Sequence, residues 1–371
     1  MPSSFDVVVG GGGVVGLNVA WELAGQGLSV AVLERGAIGR EASWAGAGIL
    51  PPGNLAGATT PEALLRALSH EIWPILSAQL KAATGIDNGF LPCGGIETAL
   101  GDDRRRLALE EEIAAWQAEG VIVERLDEPG LRRMEPAVAF RGRLAFRLPE
   151  LSQVRNPRHL KALTAACLAK DVALLAGEEV YDFEVVGERL RAVHSTTGRR
   201  EAAHFVFCTG AWTRLVLARL GPPLPIEPVR GQIVQLQCER VPFCHVLLAG
   251  PRYLVPRPDG WILVGSTEER IGFQKQNTAE AVAELIRFAV DLVPELGAAR
   301  FARAWSGLRP KSNRPVPFLG PLAGLTNAFV AAGHFRAGLQ MSPGSARLIR
   351  QAVMGEPTTI PLEPFACPDQ A

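Results

Sequence analysis

The sequence predicts an α/β fold in which one sheet-and-helix unit is interrupted by strand-rich α+β segments. Three observations carry that prediction. The N-terminus reads strand, turn, helix, strand: an apolar run from Phe5 to Val9, glycines at 10–13 and 16, a helically spaced stretch, then Leu28 to Leu33 ending in Glu34. The middle of the chain moves from helical patterns to short β-rich runs. The C-terminal part returns to a strand pattern, Ala328 to Ala332, then a glycine-rich loop and a helix.

Each part of the first block has a physical reason. Phe5 to Val9 is apolar throughout, as a strand covered on both faces requires. Gly11 permits a sharp turn, Gly13 keeps a side chain away from an approaching pyrophosphate, and Gly16 lets helix and strand pack closely. Val14 and Val15 open a helix whose free N–H groups and dipole hold an anion. Val14, Leu17, Ala20, Trp21 and Ala24 form its apolar face. Gly25 or Gly27 supplies the left-handed residue that ends it. Glu34 stands roughly 20 residues after the turn, where a carboxylate binds ribose hydroxyls and repels a 2′-phosphate. Gly10 is an oddity, since a bulky apolar residue is more usual there. Together these residues predict a Rossmann-like grip on an adenine dinucleotide.

A second block, Gly39 to Gly48, follows at once. Its small residues, Ala42, Ser43, Ala45, Gly46 and Gly48, leave room for a flat ring system against the backbone. The Ser43 hydroxyl and nearby N–H groups can bond its polar edge. A nicotinamide enzyme has no use for this block, so the dinucleotide is read as FAD; the alternative is a plain packing loop. Arg35 is placed to reach the adenosine half or to stay in solvent.

Helices are predicted over Pro61–Ala83, Asp102–Glu119, Glu128–Glu135 (stopped by Pro136), Asn156–Ala169, and Thr278–Val293. Strands are predicted at Val180–Val186, Leu190–His194 and Phe205–Cys208. A second strand set begins at Ile233 and includes Arg252–Pro256 and Trp261–Ser266. The resulting division assigns 1–85, 140–225 and 305–371 to an interrupted Rossmann-like FAD-binding domain. It leaves 86–139 and 226–304 for a strand-rich α+β substrate domain.

Composition bounds the function. Lys plus Arg equals Asp plus Glu at 38 each, so no basic footprint for nucleic acid or anionic membrane exists. The six cysteines form no CxxC pair and no cluster with histidines, which argues against a metal site or disulfide framework and fits a reducing compartment. The first apolar run belongs to the nucleotide fold rather than to a cleaved signal. No stretch reaches the ~18 apolar residues of a membrane span. A cytoplasmic protein is expected, with no integral membrane contact; a homo-oligomer is compatible with the sequence.

Six segments carry a resemblance. They are Gly39-Arg40-Glu41-Ala42-Ser43-Trp44-Ala45-Gly46-Ala47-Gly48, Cys208-Thr209-Gly210-Ala211-Trp212, Pro228-Val229-Arg230-Gly231-Gln232, Tyr253-Leu254-Val255-Pro256-Arg257, Trp305-Ser306-Gly307-Leu308-Arg309-Pro310, and Ala332-Gly333-His334-Phe335-Arg336-Ala337-Gly338. In this order they resemble the D-amino-acid-oxidase-like flavoproteins, within them the glycine oxidase branch.

By itself, Arg309 lies between apolar residues, where an unpaired guanidinium is costly and a carboxylate matches its planar fork. A salt bridge within the protein is the alternative. Tyr253 reads as a strand aromatic whose hydroxyl can donate. The resemblance implies that Arg309 and Tyr253 hold a substrate carboxylate, with Arg336 near substrate and flavin. It implies FAD contacts from Val180 and from Thr209, Gly210 and Trp212. His334 is read as structural, beside the cofactor. The last helix is expected to start with Ser342 as N-cap and Pro343 at its first position, and to end at Gly355. The N–H groups of Gly338, Leu339, Gln340 and Met341 before it would face the flavin pyrimidine edge.

One residue departs from the pattern of some relatives: Glu268 replaces an apolar side chain, for contact with a substrate amine or with water. No cysteine stands beside Arg309 or in the 333–338 loop, so FAD is expected to be non-covalent. The implied activity is oxidation of a small amino acid, glycine first, sarcosine or small D-amino acids next. Hydride passes from Cα to the flavin, the imino acid hydrolyses to a 2-oxo acid and ammonia, and dioxygen becomes hydrogen peroxide. A link to thiazole synthesis for thiamine is implied as well. Two rivals remain open: a D-amino-acid dehydrogenase using a quinone, and a non-catalytic flavin-binding protein.

Overall fold

The computed structural model describes residues 4–98, 103–139, 144–221 and 223–368, without the side chains of 103–106. The first sheet has eight strands among these residues. Its parallel centre runs Ala173–Ala176, Val30–Glu34, Ser4–Gly10, Gly198–Phe207 and Ala328–Ala332. Val180–Val186 and Arg189–Ser195 extend it antiparallel on one side, and Phe318–Pro321 pairs with the strand at 328–332.

The continuous apolar runs are explained by burial on both faces. Val7, Val9, Val30 and Val32 face the helices Val14–Ala24, Pro61–Thr84, Asn156–Leu168 and Ser342–Met354. Val8, Ala31 and Leu33 alternate to the other face, against Leu190, Val193, Phe205 and Phe207. Each fully buried Val, Leu or Phe contributes about 1.5–3 kcal/mol of transfer free energy, which is why this centre can hold a tight turn at its edge.

The second sheet also has eight strands among the described residues, in the order Arg300–Ser312, Ile226–Gln237, Trp261–Gly265, Arg252–Pro256, Val246–Ala249, Gly95–Thr98, Ala145–Leu148 and Glu124–Leu126. Helix Ala279–Leu292 covers it through Leu285, Phe288, Ala289 and Leu292. Two strands cross the predicted division: 145–148 and most of 300–312 fall in segments given to the first unit, yet pair in this sheet. A small third sheet joins Ile49–Leu50, Ser152–Gln153 and Leu91–Pro92.

Several boundaries differ from the sequence reading. The second strand set starts at Ile226, not Ile233, because 226–237 pairs along its length with 300–312. In the sequence the latter shows only as the motif around Arg309. The predicted helix at 102–119 spans Asp103–Ala118, and residue 102 lies outside the described residues. Gly27, φ 82°, is the left-handed residue after the first helix, whereas Gly25 stays right-handed. Ser342 is the first helical residue rather than the N-cap, which is Met341. Its hydroxyl donates to the Leu339 carbonyl at 2.8 Å and accepts from Asn18 Nδ2 at 3.1 Å, so it serves tertiary packing. Gly355 ends that helix with φ 68°, as expected.

Candidate active site

A cavity of about 740 Å³ is lined from both large sheets. At one end lies the glycine turn. Gly11 has φ 105°, and a Cβ there would run into the Cys208 carbonyl. Gly16 does not line the cavity; a Cβ on it would strike the Gly11 carbonyl, so it sets helix-to-turn distance. The N–H groups of Gly13 and Val15 carry no hydrogen bond among the described residues, and both residues line the cavity. The Val14 N–H is taken by the Ser43 hydroxyl at 2.9 Å. Ser43 therefore tethers the second block to the first helix, and among the described residues its hydroxyl donates no hydrogen bond.

Glu34 holds the turn from the other side. Its carboxylate accepts from the Gly12 N–H at 2.8 Å and the Gly36 N–H at 2.9 Å, which fixes the turn that it lines. Arg35 sits over Trp212, guanidinium carbon 3.7 Å from the ring centroid, and both line the cavity with Val180, Thr209 and Gly210.

The cavity is also walled by Ala42, Ser43, Ala45, Gly46 and Gly48. Trp305 Nε1–H donates to the Ala45 carbonyl at 3.0 Å, holding this loop against the second sheet. His334, Gly338, Leu339 and Gln340 line it as well. Burial lowers the His334 pKa to about 4, so its ring is neutral, 2.9 Å from the Ser345 hydroxyl. The Met341 N–H is spent on the Ala337 carbonyl, so it does not face the cavity group as expected. Leu339 and Gln340 N–H groups carry no hydrogen bond among the described residues. Two buried side-chain oxygens in the wall, Asn156 Oδ1 and Gln340 Oε1, also lack a partner among the described residues. Free donors at a helix start, free donors beside a second helix, and a small-residue wall fit a dinucleotide with a flat ring.

The other end holds Tyr253, Arg309 and Arg336 together. Arg309 Nη1 donates to the Thr267 carbonyl at 3.0 Å and Nη2 to the Ser266 hydroxyl at 2.6 Å. Burial works against its charge, partly offset by Tyr253 and Glu268. Burial also raises the Tyr253 pKa, against the pull of Arg309 and Ser266, which keeps the phenol protonated. Both groups rest on glycine backbone. A Cβ on Gly231 would come within 3.0 Å of Cζ and both terminal nitrogens of Arg309, and one on Gly265 would overlap the Tyr253 ring and hydroxyl. Arg336 donates to Glu268, with Lys311 Nζ 3.8 Å from the same carboxylate. Glu268 is thus engaged by cations.

Sequence reasoning missed the supports. Ser266, Thr267, Gly231 and Gly265 lie within or beside quoted segments, but only strand pairing brings them under Arg309 and Tyr253: Gly231 opposes Gly307, and Tyr253 opposes Gly265. Asn156, whose Nδ2 donates to the Ser43 carbonyl at 2.7 Å, had no local signal beyond its place at a helix start. The expectation that no cysteine clusters with a histidine fails. One oxygen of buried Glu135 accepts from the N–H groups of Cys244 and His245 at 2.9 and 2.8 Å, with Cys244 Sγ at 3.2 Å and His245 Nδ1 at 2.6 Å. Those neighbours fill that oxygen, and the cluster clamps a loop. Glu135 is distant in sequence, so spacing could not reveal it.

The fold and cavity define a dinucleotide-dependent oxidoreductase. The chain belongs to the DAO family of FAD dependent oxidoreductases, whose model matches residues 6–352. FAD is its cofactor. It is 36% identical to a glycine oxidase of Pseudomonas putida (strain KT2440), over 98% of each chain. It is 32% identical to a bifunctional protein ThiO/ThiG of Trichormus variabilis, over 94% of this chain and 52% of that protein. The crystal structure of glycine oxidase from Geobacillus kaustophilus superposes with TM-score 0.94 at 30% identity, covering 98% of each chain. Among the described residues no helix is long and apolar enough to cross a membrane.

Proposed function

We propose that the chain oxidises glycine, with sarcosine and small D-amino acids as further substrates, and passes electrons to dioxygen with release of hydrogen peroxide. One observation carries this reading: Arg309 and Tyr253 stand side by side on glycine backbone in the cavity that also contains the dinucleotide turn. The guanidinium offers its fork to the substrate carboxylate, and the protonated phenol donates to the same group. Together they orient the amino acid, its amine uncharged, with one Cα–H presented to the cavity wall formed by residues 42–48. FAD, when bound, supplies the hydride acceptor. The product imine leaves and hydrolyses to glyoxylate and ammonia.

In this reading Gly11, Gly13, Val14, Val15 and Gly16 shape the pyrophosphate grip, and Glu34, Arg35, Val180, Thr209, Gly210 and Trp212 hold the adenosine half. Ala42, Ser43, Ala45, Gly46, Gly48, His334, Gly338, Leu339 and Gln340 frame the ring. FAD is held without a covalent bond: Cys208 lines the cavity, but burial pushes its thiol pKa far up, away from nucleophilic thiolate. The first sheet serves the cofactor and the second the substrate. A cytoplasmic setting and supply of glycine-derived imine for thiazole formation fit the relatives with ThiO/ThiG names.

The test is anaerobic addition of glycine, sarcosine and a D-amino-acid panel to the FAD-loaded protein. Bleaching by glycine, reversed by air with peroxide released, is expected. Bleaching only by larger D-amino acids with slow return in air moves the assignment to a dehydrogenase. No bleaching by any amino acid points to a non-catalytic flavoprotein.

A further inference from the structure

Three cations surround one carboxylate at the substrate end. Arg309 and Lys311 lie two residues apart on the strand 300–312, and Arg336 follows the strand 328–332. Arg336 donates to Glu268; Lys311 Nζ lies 3.8 Å from Glu268 and 4.9 Å from the Phe335 ring centroid. Arg336 packs on the same ring at 5.4 Å. Arg309 and Arg336 line the cavity together. Burial opposes the Glu268 charge, but Arg336, Lys311 and Arg309 outweigh it and hold its pKa below the usual carboxylate value. Glu268 is therefore an anion beside the substrate pocket.

Nothing in the oxidation of a monocarboxylate needs this acid. Its effect is on what else can bind. A free Arg336, with Lys311 behind it, would present a second carboxylate-binding fork in the cavity of the first. With Glu268 in place that fork is occupied from within the protein, and an incoming second carboxylate meets a like charge.

We propose that Glu268 determines specificity: as an internal carboxylate for Arg336, it excludes amino acids with a second carboxylate and restricts the pocket to monocarboxylates. This rests on the reading that Arg309 takes the substrate carboxylate.

The experiment titrates FAD-loaded protein anaerobically with acetate, malonate and succinate, reading Kd from the flavin absorption spectrum. In Glu268→Gln the dicarboxylates tighten relative to acetate on the order of tenfold. The double variant Glu268→Gln/Arg336→Gln returns the ratio to that of the parent, and Glu268→Asp keeps the parent ratio. In turnover, Glu268→Gln raises kcat/KM for D-aspartate relative to glycine. Normal acetate binding with an unchanged ratio in Glu268→Gln overturns the inference alone, as does a gain that survives loss of Arg336. If no carboxylate perturbs the parent flavin, the Arg309 reading falls and this inference with it. A shifted ratio in a protein that does not oxidise glycine leaves the inference standing and removes only the proposed substrate.

Discussion

Replacing Gly231 by alanine tests the substrate end through a cavity-lining residue that has no side chain of its own. The backbone there sits outside the positive-φ region, so alanine brings no conformational strain. The new methyl group would lie within 3.0 Å of three guanidinium atoms of Arg309, and Gly307 across the strand pair offers no side chain that must move. Strand 226–237 is fixed along its length by 300–312, so the flexible guanidinium gives way. It must then leave the Thr267 carbonyl and the Ser266 hydroxyl, at 3.0 and 2.6 Å. A misplaced fork loses a charge-assisted contact with the carboxylate worth about 1.5–3 kcal/mol, roughly 10- to 150-fold in affinity. The assay is anaerobic titration of the bound flavin with acetate, alongside steady-state KM and kcat for glycine. Acetate Kd and glycine KM should rise together by that factor, with the flavin spectrum and thermal midpoint nearly unchanged. An unchanged Kd, or loss of flavin with carboxylate affinity intact in the residual holoprotein, would refute the reasoning.

Arg309→Ala should raise KM by on the order of 100-fold while the protein stays yellow; an unaltered KM sinks its role. Ser43→Ala removes the acceptor of the Val14 N–H, at a cost of about 1 kcal/mol in stability. It should also shed FAD more readily on dilution, measured by released flavin fluorescence. Glu34→Ala frees the N–H groups of Gly12 and Gly36 and should weaken FAD on the order of tenfold, seen by equilibrium binding to the apoprotein. Burial holds His334 at about 4 and His159 at about 3, against roughly 6.5 when unfolded. The unfolded chain therefore binds protons that the folded chain refuses as pH falls from 6.5 toward 4. Stability is full above that window and is lost through it. Urea midpoints should drop between pH 7.5 and 4.5, and His334→Gln should flatten part of the slope; a parent protein equally stable at both pH values contradicts it.

The sequence by itself determined the glycine turn and the acid that follows it, because these parts are local. Gly11, Gly13 and Gly16 act within one turn, and Glu34 follows at a distance set by one helix and one strand. It also gave the end of the last helix at Gly355, where a left-handed position wants a residue without Cβ. The clustering of Tyr253, Arg309 and Arg336 was legible as resemblance, not as physics. Only the tertiary structure decided how they are held. Gly231 and Gly265 matter because strand pairing lays other side chains across them, and sequence spacing carries no register between distant strands. The same limit hid the length of the strand 300–312, the clamp of Glu135 on Cys244 and His245, and the seating of Ser342 against Asn18. It also left Glu268 between amine and water, until the fold brought Arg336 and Lys311 to it. Local steric demands are written residue by residue. Charge pairs and packed floors depend on which elements meet, and that is fixed only when the whole core closes.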